Sequence, residues 1–129
     1  MCLPCEGGGS IAALKHIVSC SFGKDSLATI LLALEHGEPL DEAVYCEVMF
    51  DKTISGEVPE HRYFIYHIAI PKLERMGVEV RVLRAEKTYV DLFTGTVTRG
   101  PKKGMLRAFA LCGKCYVQRD CKIKPICQY

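Results

Sequence analysis

No stretch of this 129-residue chain approaches the roughly 18 consecutive apolar residues that a membrane-crossing helix needs, and no such helix is expected. The opening MCLPCEGGGS has neither the basic start nor the apolar middle of a secretory signal, so the expectation is a cytoplasmic protein. Two nucleotide-binding signatures are missing as well. Walker A, G-x-x-x-x-G-K-[ST], fails because Val18 stands at its first glycine and Asp25 separates Lys24 from Ser26. The Rossmann G-x-G-x-x-G finds no match either, since Gly7, Gly8 and Gly9 precede the first strand-like run and belong to a flexible leader, residues 1–14.

What is present suits one globular domain over residues 1–129, because 49% of the residues are hydrophobic and 25% are charged. The formal net charge of +2 hides a division. Residues 1–98 hold 9 Lys+Arg against 14 Asp+Glu, a balance of −5, while residues 99–129 hold 8 against 1, a balance of +7. A basic tail on a mildly acidic body points to an anionic partner, with a solvated tail as the plainer alternative.

Strand and helix signals alternate. Residues 15–20 read as a buried strand, and residues 25–36 as a helix with Leu27, Ile30, Leu31 and Leu34 on one face, ended by Gly37. In residues 42–50, Val44, Cys46, Val48 and Phe50 alternate as in a second strand. Residues 59–76 read as a second helix kinked near Pro71 and stopped by Gly77. Val78, Val80 and Val82 alternate with Glu79 and Arg81 as in a third strand near a sheet edge. This order predicts an α/β fold with a parallel sheet and right-handed crossovers, whose ligands bind beyond the carboxyl ends of the strands.

The segment Ser21-Phe22-Gly23-Lys24-Asp25-Ser26 falls at such an end, between the first strand and the first helix. Free amides of a helix start, two hydroxyls, a close-approaching glycine and a lysine suit an anion; the competing reading is a helix cap made by Ser21 or Asp25. The segment resembles the PP-loop S-G-G-x-D-S of the adenine nucleotide alpha-hydrolase-like enzymes, with Phe22 in place of the first glycine. MFDKTISGEVPEH and CYVQRDCKIKPI add a resemblance to the phosphoadenosine phosphosulfate reductase family within that superfamily, over about residues 15–126. The resemblance implies a three-layer Rossmann-like (HUP-type) sheet in shortened form. It also implies an adenine nucleotide whose phosphate or sulfate end lies on Ser21, Phe22, Gly23, Lys24, Asp25 and Ser26, with Asp51 near the adenosine. Arg119, Lys122 and Lys124 would close over the phosphates, and arginine suits bidentate phosphate contacts best. Asp51 also reads, from its place after the second strand, as an acceptor for ribose, adenine or a metal ion, or as a solvated turn residue.

Cys20 and Cys46 fall in strands and read as small core residues. Cys112, Cys115, Cys121 and Cys127 form C-x2-C-x5-C-x5-C, and Cys2 with Cys5 forms another C-x2-C. Thiolates so spaced can hold zinc or an iron–sulfur cluster, or stay reduced and free. The aromatics Phe109, Tyr116 and Tyr129 give RNA weak support.

Three functions follow as expectations. One is a sulfonucleotide-reductase-like protein acting on adenylyl sulfate or its 3′-phosphorylated form with a thiol reductant protein. Another is an ATP- and magnesium-dependent adenylating enzyme of the RNA-thiolation type, and the third a non-catalytic nucleotide- or metal-binding module. The family's later G-x-R-x-x-E-S-type motif and Glu-Cys-Gly-Leu-His segment are not in the sequence, so binding is expected more than catalysis, alone, as a homo-oligomer or with a completing chain.

Overall fold

A computed structural model describes residues 14–108 and 115–129. Strand β1 (Ile17–Ser19), helix α1 (Lys24–Glu35), strand β2 (Glu42–Glu47), helices α2 (Pro59–Phe64) and α3 (Ile70–Arg75) and strand β3 (Glu79–Arg84) follow one another. Helices α4 (Tyr89–Thr94), α5 (Tyr116–Gln118) and α6 (Lys124–Gln128) come after them. The strands form one parallel sheet in the order β1-β2-β3, with Val18 beside Ala43 and Ala43 beside Val80. The arrangement is Rossmann-like, and β3 lies at an edge as its charged alternate face predicts. Among the described residues no helix is long and apolar enough to cross a membrane.

All six residues of β2 are buried, because both faces of this central strand are covered. Ala43 and Tyr45 share a core with Ile30 of α1 and with Ile65, Ala69 and Leu73 from the segment spanning α2 and α3. On the opposite face the Cys46 thiol donates to the Cys121 carbonyl at 3.1 Å, so the 116–129 segment forms the other layer. Each fully buried Ile or Leu in such a core contributes about 1.5–3 kcal/mol.

The glycines at 37 and 77 end their helices as expected, at φ of +67° and +87° that L side chains seldom adopt. Both close Schellman turns: Glu38 and Val78 donate to the carbonyls of Ala33 and Leu73 at 2.9 and 3.1 Å.

Four expectations change. Strand β1 covers only Ile17–Ser19 and forms the sheet's other edge, where Ile17 and Ser19 are exposed, so residues 15–20 are not the buried strand expected. Strand β2 stops at Glu47, three residues before the predicted end, because Val48 accepts from Gly56 N–H at 2.8 Å and the chain turns back there. Leu31 is exposed; the face of α1 that reaches the core centres on Ile30, with Leu27 and Leu34 at its margin. The expected proline kink is a π-helical turn, Ile65–Ala69, placed before Pro71. Ile70 donates to Ile65 five residues back, and the widened turn accommodates a proline that has no N–H and crowds the preceding carbonyl. The same device recurs at Arg119–Ile123 before Pro125, where Lys124 donates to Arg119.

Candidate functional site

The loop after β1 is shaped by one inward-turned aromatic. Cys20 N–H still pairs with Val44 O at 2.9 Å, and Phe22 then takes the left-handed φ of 58°. Its ring is 2% exposed and packs edge-on to Tyr45 with centroids 5.1 Å apart. Phe22 therefore occupies the core and leaves the loop's outer surface to Ser21, Gly23, Lys24 and Asp25, all exposed. Gly23 is the N-cap of α1, and no side chain caps this helix start. The cap reading for Ser21 or Asp25 is thus not realised. Ser26 Oγ donates instead to the Gly23 carbonyl at 3.0 Å and lies 3.4 Å from Ser21 Oγ. The first-turn amides, the positive end of the helix dipole and Lys24 together favour an anion here.

Asp51 lies outside the sheet. Phe50 and Asp51 N–H groups both donate to Ile54 O, at 2.9 and 3.2 Å, and Met49 bridges Ser55 antiparallel, so residues 49–55 form a tight turn. The Asp51 carboxylate accepts from the Lys52 N–H and stands exposed at the turn, four residues beyond β2.

At the same end of the sheet, the residues following β3 open into a polar cavity of about 290 Å³. Arg119 and Lys124 line it together with Lys87, Arg107, Glu86 and Asp120; Lys122 is not among its lining residues. The tail's one acidic residue answers its strongest cation: Arg119 donates to both Asp120 oxygens at 2.7 Å, and its guanidinium lies 5.1 Å from the Tyr116 ring. Arg107 lies 5.3 Å from the same ring. The Arg119 pairing holds the Asp120 carboxyl below its ordinary value, with burial opposing it. Arg119 is thus paired, and the cavity's further positive charge comes from Lys124, Lys87 and Arg107. Sequence reasoning passed over Lys87, although residues just after a parallel strand are where ligand contacts arise.

The described cysteines divide by burial. Cys20, Cys46 and Cys121 are buried, whereas Cys115 and Cys127 are exposed. Cys121 Sγ donates to Lys87 O at 3.1 Å, and burial pushes its thiol up, as it does that of Cys46 against a pull from Lys122. Cys115 Sγ accepts from Gln118 N–H at 3.5 Å and caps α5. Among the described residues no three His, Cys, Asp or Glu side chains group to hold a metal ion; Cys2, Cys5 and Cys112 lie outside them.

No protein-family model, curated protein or solved structure matches this chain.

Charged groups that no sequence motif signalled lie at both ends of β2 and beside the loop. Glu47, at the carboxyl end of β2 and wholly buried, accepts from Ser55 Oγ at 2.8 Å and Arg62 Nε at 2.9 Å on one oxygen. Tyr66 OH at 2.9 Å and Arg84 Nε and Nη2 at 2.9 and 2.6 Å serve the other. Burial alone would raise its pKa, but these hydrogen bonds bring it down to about 2. Glu42, at the opposite end of β2, is paired with Lys15, Arg81 and Tyr129 OH, and Lys15 does most to hold it at about 2. Beside the loop, Glu57 accepts from Tyr45 OH at 3.1 Å, and its other oxygen lies 2.9 Å from His61 Nδ1. Alternation in β2 marked only its apolar residues; of the β3 arginines, Arg84 stands at the register position opposite Glu47, while Arg81 stands opposite Val44 and reaches diagonally to Glu42, which is itself opposite Glu79.

Proposed function

We propose that this chain is a phosphoadenosine phosphosulfate reductase-like protein of the PP-loop superfamily, with the HUP-type layering that this entails, and that it binds an adenine nucleotide. The observation that carries the reading is the start of α1, whose amides no side chain caps, placed directly after β1 behind a left-handed Phe22. In this reading Ser21, Gly23, Lys24, Asp25 and Ser26 receive the phosphate or sulfate end. Ser26 donates to the Gly23 carbonyl and can turn its hydroxyl to donate to an anion oxygen instead. Hydrogen bonds to a charged group contribute about 1.5–3 kcal/mol each, so two or three of them give useful affinity without a metal ligand.

The basic cavity supplies the second half of the reading. A parallel sheet brings the ends of β1 and β3 to one side of the molecule, so a nucleotide extending from the loop runs across the strand ends toward Lys87, Arg107, Arg119 and Lys124. Four cations against Glu86 and Asp120 favour a ligand with an additional phosphate. Binding is the supported part. Reduction of a sulfonucleotide would require an accessible nucleophilic thiol, and among the described cysteines only Cys115 and Cys127 are exposed.

Calorimetry with ATP, adenylyl sulfate and its 3′-phosphorylated form tests this, with the 3′-phosphorylated nucleotide expected to bind tightest. Asp25→Ala with Ser26→Ala should weaken binding at an unchanged circular dichroism spectrum. Product analysis then separates the chemistries: sulfite for reduction, pyrophosphate for ATP-dependent adenylation, neither for a binding module. Absence of binding by all three nucleotides defeats the reading.

A further inference from the structure

One ring stands between the loop and the body of the protein. His61, in α2, places Nδ1 2.9 Å from Glu57 Oε2 and Nε2 3.5 Å from the carbonyl oxygen of Phe22. Both neighbours are acceptors only, a carboxylate and a backbone carbonyl, so an imidazole that satisfies both must carry a proton on each nitrogen. The peptide it touches is the one joining left-handed Phe22 to Gly23, the N-cap of α1. In a trans peptide the C=O and N–H point in opposite directions, so fixing the carbonyl toward His61 turns the Gly23 N–H away from it, to the outer side of the loop.

Resting on the anion-binding reading of that loop, we propose that His61, held by Glu57, is a positioning residue that fixes the Phe22–Gly23 peptide for anion binding and makes the affinity of the loop depend on pH. The groups facing the ring are Glu57 from the segment before α2, the Phe22 carbonyl from the loop and Phe64 from its own helix, stacked at 6.3 Å. Tyr45 of β2 reaches it through the shared Glu57 carboxylate. The hydrogen bond to Glu57 raises the His61 pKa above the ordinary imidazole value, burial opposes it, and the Phe22 carbonyl adds to the rise. The doubly protonated form therefore prevails below the ordinary value and is lost as pH rises through the raised one.

The test is a titration of adenylyl sulfate binding between about pH 5 and 9, where the phosphosulfate keeps its charge and the imidazole does not. Affinity in the parent should fall about fivefold as His61 deprotonates, the worth of one ordinary hydrogen bond. His61→Gln should flatten that step, and Glu57→Gln, which keeps an acceptor but removes the charge, should move its midpoint to lower pH. A step of the same size and midpoint in His61→Gln overturns the inference. The Gly23 amide resonance of the ligand-free protein supplies a second measure. If adenylyl sulfate binds at no pH, the nucleotide reading falls, and the clamp itself is decided by that resonance: a shift that follows His61 titration supports it, and a flat one refutes it.

Discussion

Phe22 should produce an inverted ranking of glycine and alanine. Replacing a buried phenylalanine by alanine ordinarily costs about 3–5 kcal/mol, and the 2% exposure and edge-on packing against Tyr45 place Phe22 in that class. Its left-handed φ of 58° works in the other direction, since an L side chain there costs roughly 1–2 kcal/mol that glycine avoids. Phe22→Ala loses the ring and keeps the strain; Phe22→Gly loses the ring and relieves it. The glycine variant should accordingly be the more stable of the two by about 1 kcal/mol, the reverse of the order inside a helix or strand. Urea unfolding followed by circular dichroism is the assay, because the chain has no tryptophan to report by fluorescence. An alanine variant as stable as the glycine one would refute the claim that the fold strains this residue for the sake of its ring.

Other outcomes follow from the charged and thiol groups. Glu42 and Glu47, each held at about 2 against an ordinary 4.5, contribute stability that is complete above 4.5 and lost as pH falls toward 2. Urea midpoints should drop across that window and drop less in Glu47→Gln; a midpoint that stays level contradicts the assignment. Asp120→Asn releases Arg119 from its bidentate partner and should raise affinity for the 3′-phosphorylated nucleotide about fivefold while leaving adenylyl sulfate unchanged, read by calorimetry. In the native protein, iodoacetamide should label Cys115 and Cys127 well before Cys20, Cys46 and Cys121, as followed by peptide mass spectrometry; equal rates at Cys121 and Cys115 would disprove the burial of the former.

Local signals carried the alternation of strands and helices, because apolar period and helix-ending glycines act over a few residues. The loop was legible for the same reason, from Ser21 to Ser26 in sequence. What escaped was set by pairing across the sheet. Glu47 gathers Ser55, Arg62, Tyr66 and Arg84 from three separate segments, and no spacing along the chain announces such a set. The role of Phe22 escaped as well: a motif comparison could mark it as a departure from glycine, but only the position of Tyr45 shows that its ring turns inward. The pairing of Arg119 with Asp120 was adjacent in sequence, yet adjacency in a chain does not say whether two side chains meet.

The hydrogen bond from Tyr129 to Glu42 spans 87 residues. It bears on the order of assembly, since β1, α1, β2, α2, α3 and β3 can pair from neighbours while the second face of β2 waits for the 116–129 segment to return. Until it does, Val44 and Cys46 face water and Glu42 lacks its phenol. Long-range closure of this kind slows folding and lengthens the life of a half-covered intermediate. Such an intermediate presents an apolar strand flank to other chains, so aggregation during refolding should respond more to changes near Cys121 and Tyr129 than to changes in α1.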